Sequence, residues 1–341
     1  MSTPKLCNLA RRGFEQAACL VRANGREQAA CRVTLREEPV LSRLIKSIHL
    51  SRPENYLSIY QSGCNLSCRK CHSWDFSKVA DGRWLTPEEI LESCAEYERG
   101  VTLVEPRERA TSFHAGESCT CCGACVRGAR SARCPGKLQP AQVVLSPQGY
   151  GPARNIAAFT GGDLTCRPAF YCRSAELIKE KTRLWVLIET NGTGLTDENL
   201  ESLRSSGVDS FWLDIKAFDN SVHEWLTGAP VKRILGLPEK ILKAGMVLEV
   251  LSLYIPGVVE VDQLEKVAAL LARVEPQIPL TILAFFPEFK MKQFREPTLN
   301  EMKRAYFACR EAGLGRVRLG NAGIFVKTAD ELDFLVREGL L

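Results

Sequence analysis

Four short apolar runs, at residues 56–61, 155–160, 185–188 and 211–213, each stop at a polar or glycine-bearing segment, and helical stretches fill the gaps between them. Runs of that length separated by helices read as parallel strands joined by crossover helices, which makes the chain α/β over about 56–312. The helix starts are legible. Thr86-Pro87-Glu88-Glu89 forms a capping box with proline in the first turn, and Thr196 opens a second helix that turns Leu200 and Leu203 inward. A further helix is expected at 298–312 and a short strand at 317–319. Thr328-Ala329-Asp330-Glu331 then begins a closing helix with Leu332, Leu335 and Val336 apolar. In a parallel β/α fold, functional groups collect at the carboxyl ends of the strands. The segments containing Gly161-Gly162-Asp163, Glu189-Thr190-Asn191-Gly192 and Asp214-Ile215-Lys216 all fall there. Singly, such Gly-Gly and Asn-Gly pairs would be ordinary turns.

The chain has 15 cysteines in 341 residues, and their positions say more than their number. With no apolar leader after the opening MSTPKLCNLARRG, the expected compartment is the cytoplasm, where thiols serve as metal ligands or buried groups rather than disulfides. The run at 56–61 leads straight into Cys64, Cys68 and Cys71, a C-x3-C-x2-C loop. Three thiolates so spaced can converge on one iron–sulfur cube and leave its fourth iron open, whereas a closed four-ligand site needs another residue. A zinc knuckle or chance spacing would give the same three positions.

Taken with the ordered strand-end motifs, this spacing resembles the radical S-adenosylmethionine (SAM) superfamily. That resemblance implies a partial (β/α)6 barrel carrying a Cys-rich insertion and an N-terminal extension, with Cys64, Cys68 and Cys71 holding a [4Fe–4S] cluster that SAM chelates. It further implies that Gly161, Gly162 and Asp163 receive the SAM amino group, with Asp replacing the usual Glu. His72, Glu189, Asn191, Asp214 and Lys216 would complete the SAM site. Cys71-His72, Leu213-Asp214-Ile215-Lys216, Leu226-Thr227-Gly228 and Ile255-Pro256-Gly257 resemble the glycyl-radical-enzyme activases, pyruvate formate-lyase activating enzyme among them. The stretch from Ala284 to Met291, Leu319-Gly320-Asn321 and Cys19-Leu20-Val21-Arg22 look more like the AmmeMemoRadiSam family. Phe286 stands where both branches carry a SAM-contacting histidine, which suggests an altered pocket.

Domain boundaries follow: an N-terminal extension at 1–55, the core at 56–312, a Cys-rich insertion at 100–153 and a C-terminal strand and helix at 313–341. Within the insertion, Cys119, Cys122, Cys125 and Cys134 read as C-x2-C-x2-C-x8-C, which resembles the ferredoxin-like insert of the activases. The four could close a second [4Fe–4S] cluster or hold one Fe or Zn ion, and Cys121 could replace a neighbour. Cys166, just past the Gly-Gly-Asp motif, is either a reactive thiol at the mouth or an ordinary buried cysteine.

The resemblance implies an activase-type reaction on a protein substrate, with flavodoxin or ferredoxin as electron donor. Cobalamin-dependent C-methylation of a protein residue is the second reading, with Tyr171, Phe285 and Phe286 as candidate walls of a large cofactor cavity. An iron–sulfur scaffold would explain the cysteines but not the ordered motifs. Net charge is +5, and arginines crowd 11–43 and 99–133, segments expected to border the barrel mouth. Interleaved glutamates and the lack of an aromatic stacking module argue for a solvated face rather than nucleic acid. Apolar runs such as 247–254 are too short to span a bilayer.

Overall fold

The computed structural model describes residues 19–131, 133–136 and 138–341; the opening segment and the first arginines of 11–43 lie outside them. The parallel strands are β2 (Leu57–Gln61), β3 (Ile156–Gly161), β4 (Trp185–Thr190), β5 (Ser210–Asp214), β6 (Val247–Tyr254), β7 (Leu280–Ala284) and β8 (Val317–Gly320), preceded by β1 (Ser42–Leu50). They lie in the order β8-β7-β6-β5-β4-β3-β2-β1 within a 10-stranded sheet. From β2 to β8 every neighbouring pair is parallel. β1 runs antiparallel to β2 and pairs on its other side with Arg83–Leu85, so the sheet extends beyond 56–312 at one edge through β1 and at the other through β8.

The crossover helices are α1 (Pro87–Glu98), α2 (Ala169–Lys181), α3 (Asp197–Ser205), α4 (Asn220–Thr227), α5 (Leu237–Lys243), α6 (Val261–Val274) and α7 (Leu299–Glu311). Their caps follow the sequence. Thr86 and Glu89 form the capping box of α1, Thr196 accepts from Asn199 N, and Thr298 with Glu301 boxes α7. The closing helix Ala329–Arg337 starts on the expected Thr328–Glu331 box.

Strand side chains alternate between two environments, as a pleated sheet requires. Leu57, Ile59, Phe159, Val186, Ile188, Phe211 and Leu213 point outward into one large core beneath the helices. Tyr56, Ile156, Ala158 and Leu187 point inward with Trp185 and Trp212. The sheet curls far enough for Arg318 on β8 to act electrostatically on Glu54, just ahead of β2. Inward residues near the amino ends, Ser210, Glu249 and Thr281, are buried, whereas Tyr60, Glu189, Trp212, Asp214 and Leu283 nearer the carboxyl ends are partly exposed. The lumen is closed below and open above.

What closes it is the insertion. After α1 the chain bridges to β3 at Leu103 and Arg154, then residues 105–118 cross the amino ends of the strands. Arg154, with no exposure, donates to Glu105 Oε1 at 3.1 Å, Thr111 O at 2.8 Å and Arg109 O at 2.6 Å. Trp185 Nε1 donates to Glu105 O at 2.8 Å and Arg107 reaches Asp209 at 3.1 Å. Phe113 N donates to Glu249, and Arg318 donates to Phe113 O. The expectation that the arginines of 99–133 border the mouth is therefore corrected: Arg107 and Arg109 lie under the barrel. Among the described residues, no helix is long and apolar enough to cross a membrane.

Candidate active site at the carboxyl ends of the strands

The three-cysteine loop leaves β2 at its carboxyl end and is held from several sides. Arg43, fully buried on β1, lies beneath it and donates to Ser62 O, Gly63 O and Gly162 O at 3.2–3.4 Å. Asn65 N donates to Asp163 O at 2.9 Å. Ser67 N and Arg69 N donate to Thr227 O and Leu226 O, carbonyls at the carboxyl end of α4, where Gly228 adopts φ 79° and ends the helix. The Leu226-Thr227-Gly228 motif thus serves to seat the loop.

Gly161 and Gly162 owe their identity to this packing. A β-carbon on Gly162 would fall 2.2 Å from Gly63 O, and one on Gly161, at φ +86°, would strike the Phe76 ring. Glycine at both positions is thus required by the close approach of the cysteine loop and of Phe76, just beyond it.

Cys68 is buried among Leu66 and Ala229, with Cys64 and Cys71 packed against the same cluster. Burial pushes the Cys68 thiol up to about 12 and raises Cys71 as well, and in each case a neighbouring thiol pushes the same way. Cys71 Sγ lies 3.2 Å from Ser77 Oγ. Three thiols packed on one small apolar cluster, Cys68 buried and Cys64 and Cys71 half-buried, suit an iron–sulfur cube that one side of the site leaves open. Among the described residues no set of three or more His, Cys, Asp or Glu side chains closes on a single ion.

Around the loop the expected polar residues form two groups. Asp163 is an orienting hub: Oδ1 accepts from Thr165 N and Oγ1 at 2.8 Å, and Oδ2 accepts from Thr190 Oγ1 at 2.7 Å and Asn191 N at 2.9 Å. Asn191 Nδ2, so positioned, donates to Asn65 Oδ1 at 2.7 Å and lies 3.7 Å from Cys64 Sγ. On the other side, Asp214 and Lys216 form an ion pair. Burial alone would lower the Lys216 pKa, but Asp214 and then Cys68 outweigh it and hold the ammonium charged. Asn65 Nδ2 and Thr193 Oγ1, buried at this end, find no partner in the protein, nor does Trp212 Nε1 in the lumen.

Glu189 lies lower in the lumen. It accepts from Tyr56 OH at 2.9 Å and from Thr160 Oγ1, and burial raises it to about 8, so that it is largely protonated at neutral pH. His72 stands at the rim, 79% exposed, with Nδ1 3.2 Å from Glu288. Lys70 donates to the same carboxylate at 2.6 Å and lies 3.4 Å from the centre of the Phe286 ring, whose other neighbour is His72. Phe286 is thus occupied by the cysteine loop. Tyr171 and Phe285, at 1% and 0% exposure, belong to the main core, and Cys166 is likewise buried in that core. Arg43, Asn65, Lys70 and Glu288 were missed by sequence reasoning. Only Asn65 and Lys70 carried a signal, their place inside the cysteine motif.

The second cysteine cluster lies at the other end of the barrel. Cys121 Sγ is 3.4 Å from Asn55 Oδ1, ahead of β2, and Arg52 ties that turn to Val144 O at 3.0 Å and Gly151 O at 2.9 Å. Cys121 N donates to Cys119 Sγ at 3.3 Å, and donation from the Cys121 thiol lowers the Cys119 pKa. Cys122 is exposed, and Cys125 and Cys134 are half-buried.

The sequence pattern of the radical SAM superfamily matches residues 118–271, a stretch that begins after the three-cysteine loop. Among solved structures, the chain is similar to a domain of pyruvate-formate lyase-activating enzyme from Bacteroides vulgatus, at 17% identity and TM-score 0.42, over 48% of this chain and 98% of that one. It is similar to Streptococcus suis SuiB bound to precursor peptide SuiA, at 16% identity and TM-score 0.41, over 52% and 43%. Escherichia coli coproporphyrinogen III oxidase, HemN, matches at 14% identity and TM-score 0.39, over 47% and 41%. The chain thus spans nearly all of the first but under half of the SuiB and HemN chains. No curated protein matches significantly.

Proposed function

We propose that this chain, which carries a radical SAM superfamily domain, reductively cleaves SAM and removes hydrogen from a C–H position of a protein substrate in an activase-type modification. The observation that carries this reading is the gathering of Cys64, Cys68 and Cys71 on one small apolar cluster at the carboxyl end of β2, beside the Asp214–Lys216 pair. A [4Fe–4S] cluster held by Cys64, Cys68 and Cys71, with SAM beside it, would supply the one-electron reductive cleavage and the hydrogen abstraction, the electron coming from a donor such as flavodoxin or ferredoxin.

The protein's share is binding and orientation. Cys64, Cys68 and Cys71 are the ligands. Lys216, held charged by Asp214, offers a cation to the SAM carboxylate, and Asn191, Asn65 and Thr193 offer polar atoms to its methionyl and ribose groups. Asp163 acts through Thr190 and Asn191 and is a positioning residue. The Gly161–Gly162 backbone seats the loop and would receive the SAM amino group, with His72 at the rim and Glu189 deeper in the lumen of the same site. Cys119, Cys122, Cys125 and Cys134 would hold a second iron–sulfur centre that clips the insertion to the barrel floor.

The test is anaerobic reconstitution followed by SAM and a strong reductant, with and without hydroxocobalamin. The expected products are 5′-deoxyadenosine and methionine, with no S-adenosylhomocysteine under either condition. Cobalamin-dependent S-adenosylhomocysteine would make the chain a methyltransferase instead, and absence of both nucleosides would overturn the reading.

A further inference from the structure

Beside the cysteine loop, α4 and the segments after β6 and β7 enclose an open groove of about 400 Å³ lined by Val222, Trp225, Val258 and Phe294. Trp225 is 41% exposed, an uncommon state for so large an apolar side chain, and Phe294 meets it edge to face with ring centres 6.1 Å apart. The groove is built into the site. Arg69, between Cys68 and Lys70, donates through Nε to Trp225 O at 2.8 Å and lies 4.6 Å from the centre of the Trp225 ring. Lys290 N donates to Arg69 O at 3.2 Å, and exposed Lys292 precedes Phe294 by two residues.

Arg69 on the Trp225 ring, and Lys290 and Lys292 on the chain leading to Phe294, give this side of the groove a basic rim by their place in the chain, with Lys290 Nζ 5.3 Å from the centre of the Phe289 ring; no carboxylate among the described residues pairs with them, since Glu288 on the same segment is taken by Lys70 and His72. We infer that this groove docks an acidic segment of the substrate protein, which inserts one aromatic or large aliphatic side chain against Trp225 and Phe294 while its carboxylates meet the basic rim. The inference rests on the reading that the substrate is a protein, and names the part of it that is grasped. An apolar slot with a few convergent charges is the form such recognition takes. The walls are aliphatic as well as aromatic, Val222 and Val258 beside Trp225 and Phe294, which suits a peptide side chain better than the aromatic faces on which bases stack. Because α4 also seats the cysteine loop through Leu226 O and Thr227 O, a segment held here lies at the barrel mouth.

The experiment selects a phage-displayed library of random short peptides on the full-length reconstituted protein, without SAM or reductant. Enriched peptides should carry one aromatic or large aliphatic residue flanked by Asp or Glu. Their affinity should fall by more than about tenfold in Trp225→Ala and in the Lys290→Glu/Lys292→Glu double variant, whose changes lie on the surface. Enrichment without an acidic bias, binding that both variants leave intact, or displacement of the peptides by an RNA oligonucleotide would each overturn the inference. Selection uses no turnover, so a protein that picks acidic peptides yet forms no 5′-deoxyadenosine keeps the groove and loses the proposed reaction. One that forms 5′-deoxyadenosine but selects no such peptides does the reverse.

Discussion

The two ends of the barrel spend their charged residues differently. At the floor, Arg154, Glu105, Arg109, Glu117 and Arg316 satisfy one another and the backbone. At the mouth, Asp163 is saturated, while Asn65 Nδ2 and Thr193 Oγ1 are buried with no partner and the Asp214–Lys216 pair faces the same opening. A closed network stabilises. Buried polar atoms without a partner occur at the floor too, Asn55 Nδ2 and Ser210 Oγ, so what sets the mouth apart is the grouping of Asn65 and Thr193 with the Asp214–Lys216 pair and the three cysteines.

The largest expected effect breaks the contrast at the mouth: Cys68→Ala should reduce 5′-deoxyadenosine formation to background and lower bound iron, with circular dichroism preserved. At the floor, Arg154→Met removes a fully buried partner of Glu105 and should cost about 3–5 kcal/mol in urea unfolding, while the folded fraction still cleaves SAM. If Arg154→Met instead abolished cleavage at full stability, the division between the ends would be wrong. Asp163→Asn loosens Thr190 and Asn191 and should weaken SAM binding by roughly tenfold to a hundredfold, measured by titration calorimetry.

A pH series sharpens the comparison within the lumen. Glu189 in the folded chain titrates near 8 against an ordinary value of 4.5, so the folded state keeps a proton that the unfolded state releases. Its contribution to stability is therefore full below about pH 4.5 and is lost progressively as pH rises toward 8. The loss is of the order of a few kcal/mol at most, because part of the carboxyl faces the open lumen. Glu54 and Glu249 are raised by burial in the same direction, so Glu189→Gln should flatten the profile without levelling it. The smallest effect is expected from Cys122→Ser with Cys125→Ser: iron content falls, but 5′-deoxyadenosine yield per remaining cluster holds. The second cysteines are separated from the loop by at least the five-residue length of β2, roughly 17 Å of strand.

Strand ends and caps were legible because each is a local event. Thr86, Thr196, Thr298 and Thr328 announce their helices within a few residues, and Asp163, Asn191 and Asp214 follow apolar runs of strand length. The placement of the insertion was not local, yet a signal existed. A crossover helix returns the chain to the amino ends of the strands, so any segment between α1 and β3 starts beneath the barrel. The reason for Gly162 could not be read from the sequence, since it is fixed by Gly63, a residue 99 positions earlier. Phe286 was read as a sign of an altered pocket, whereas its partners, Lys70 and His72, lie more than two hundred residues away in sequence.

That long reach has a consequence for biosynthesis. The loop carrying Cys64, Cys68 and Cys71 leaves the ribosome before its supports, which include Asp163, Asn191, Thr227, Glu288 and Lys290. Contacts of such high sequence separation form late, after the intervening chain has been made and folded. The cysteines therefore pass through translation as loosely held thiols, and iron delivery belongs to the nearly finished protein rather than to the nascent chain.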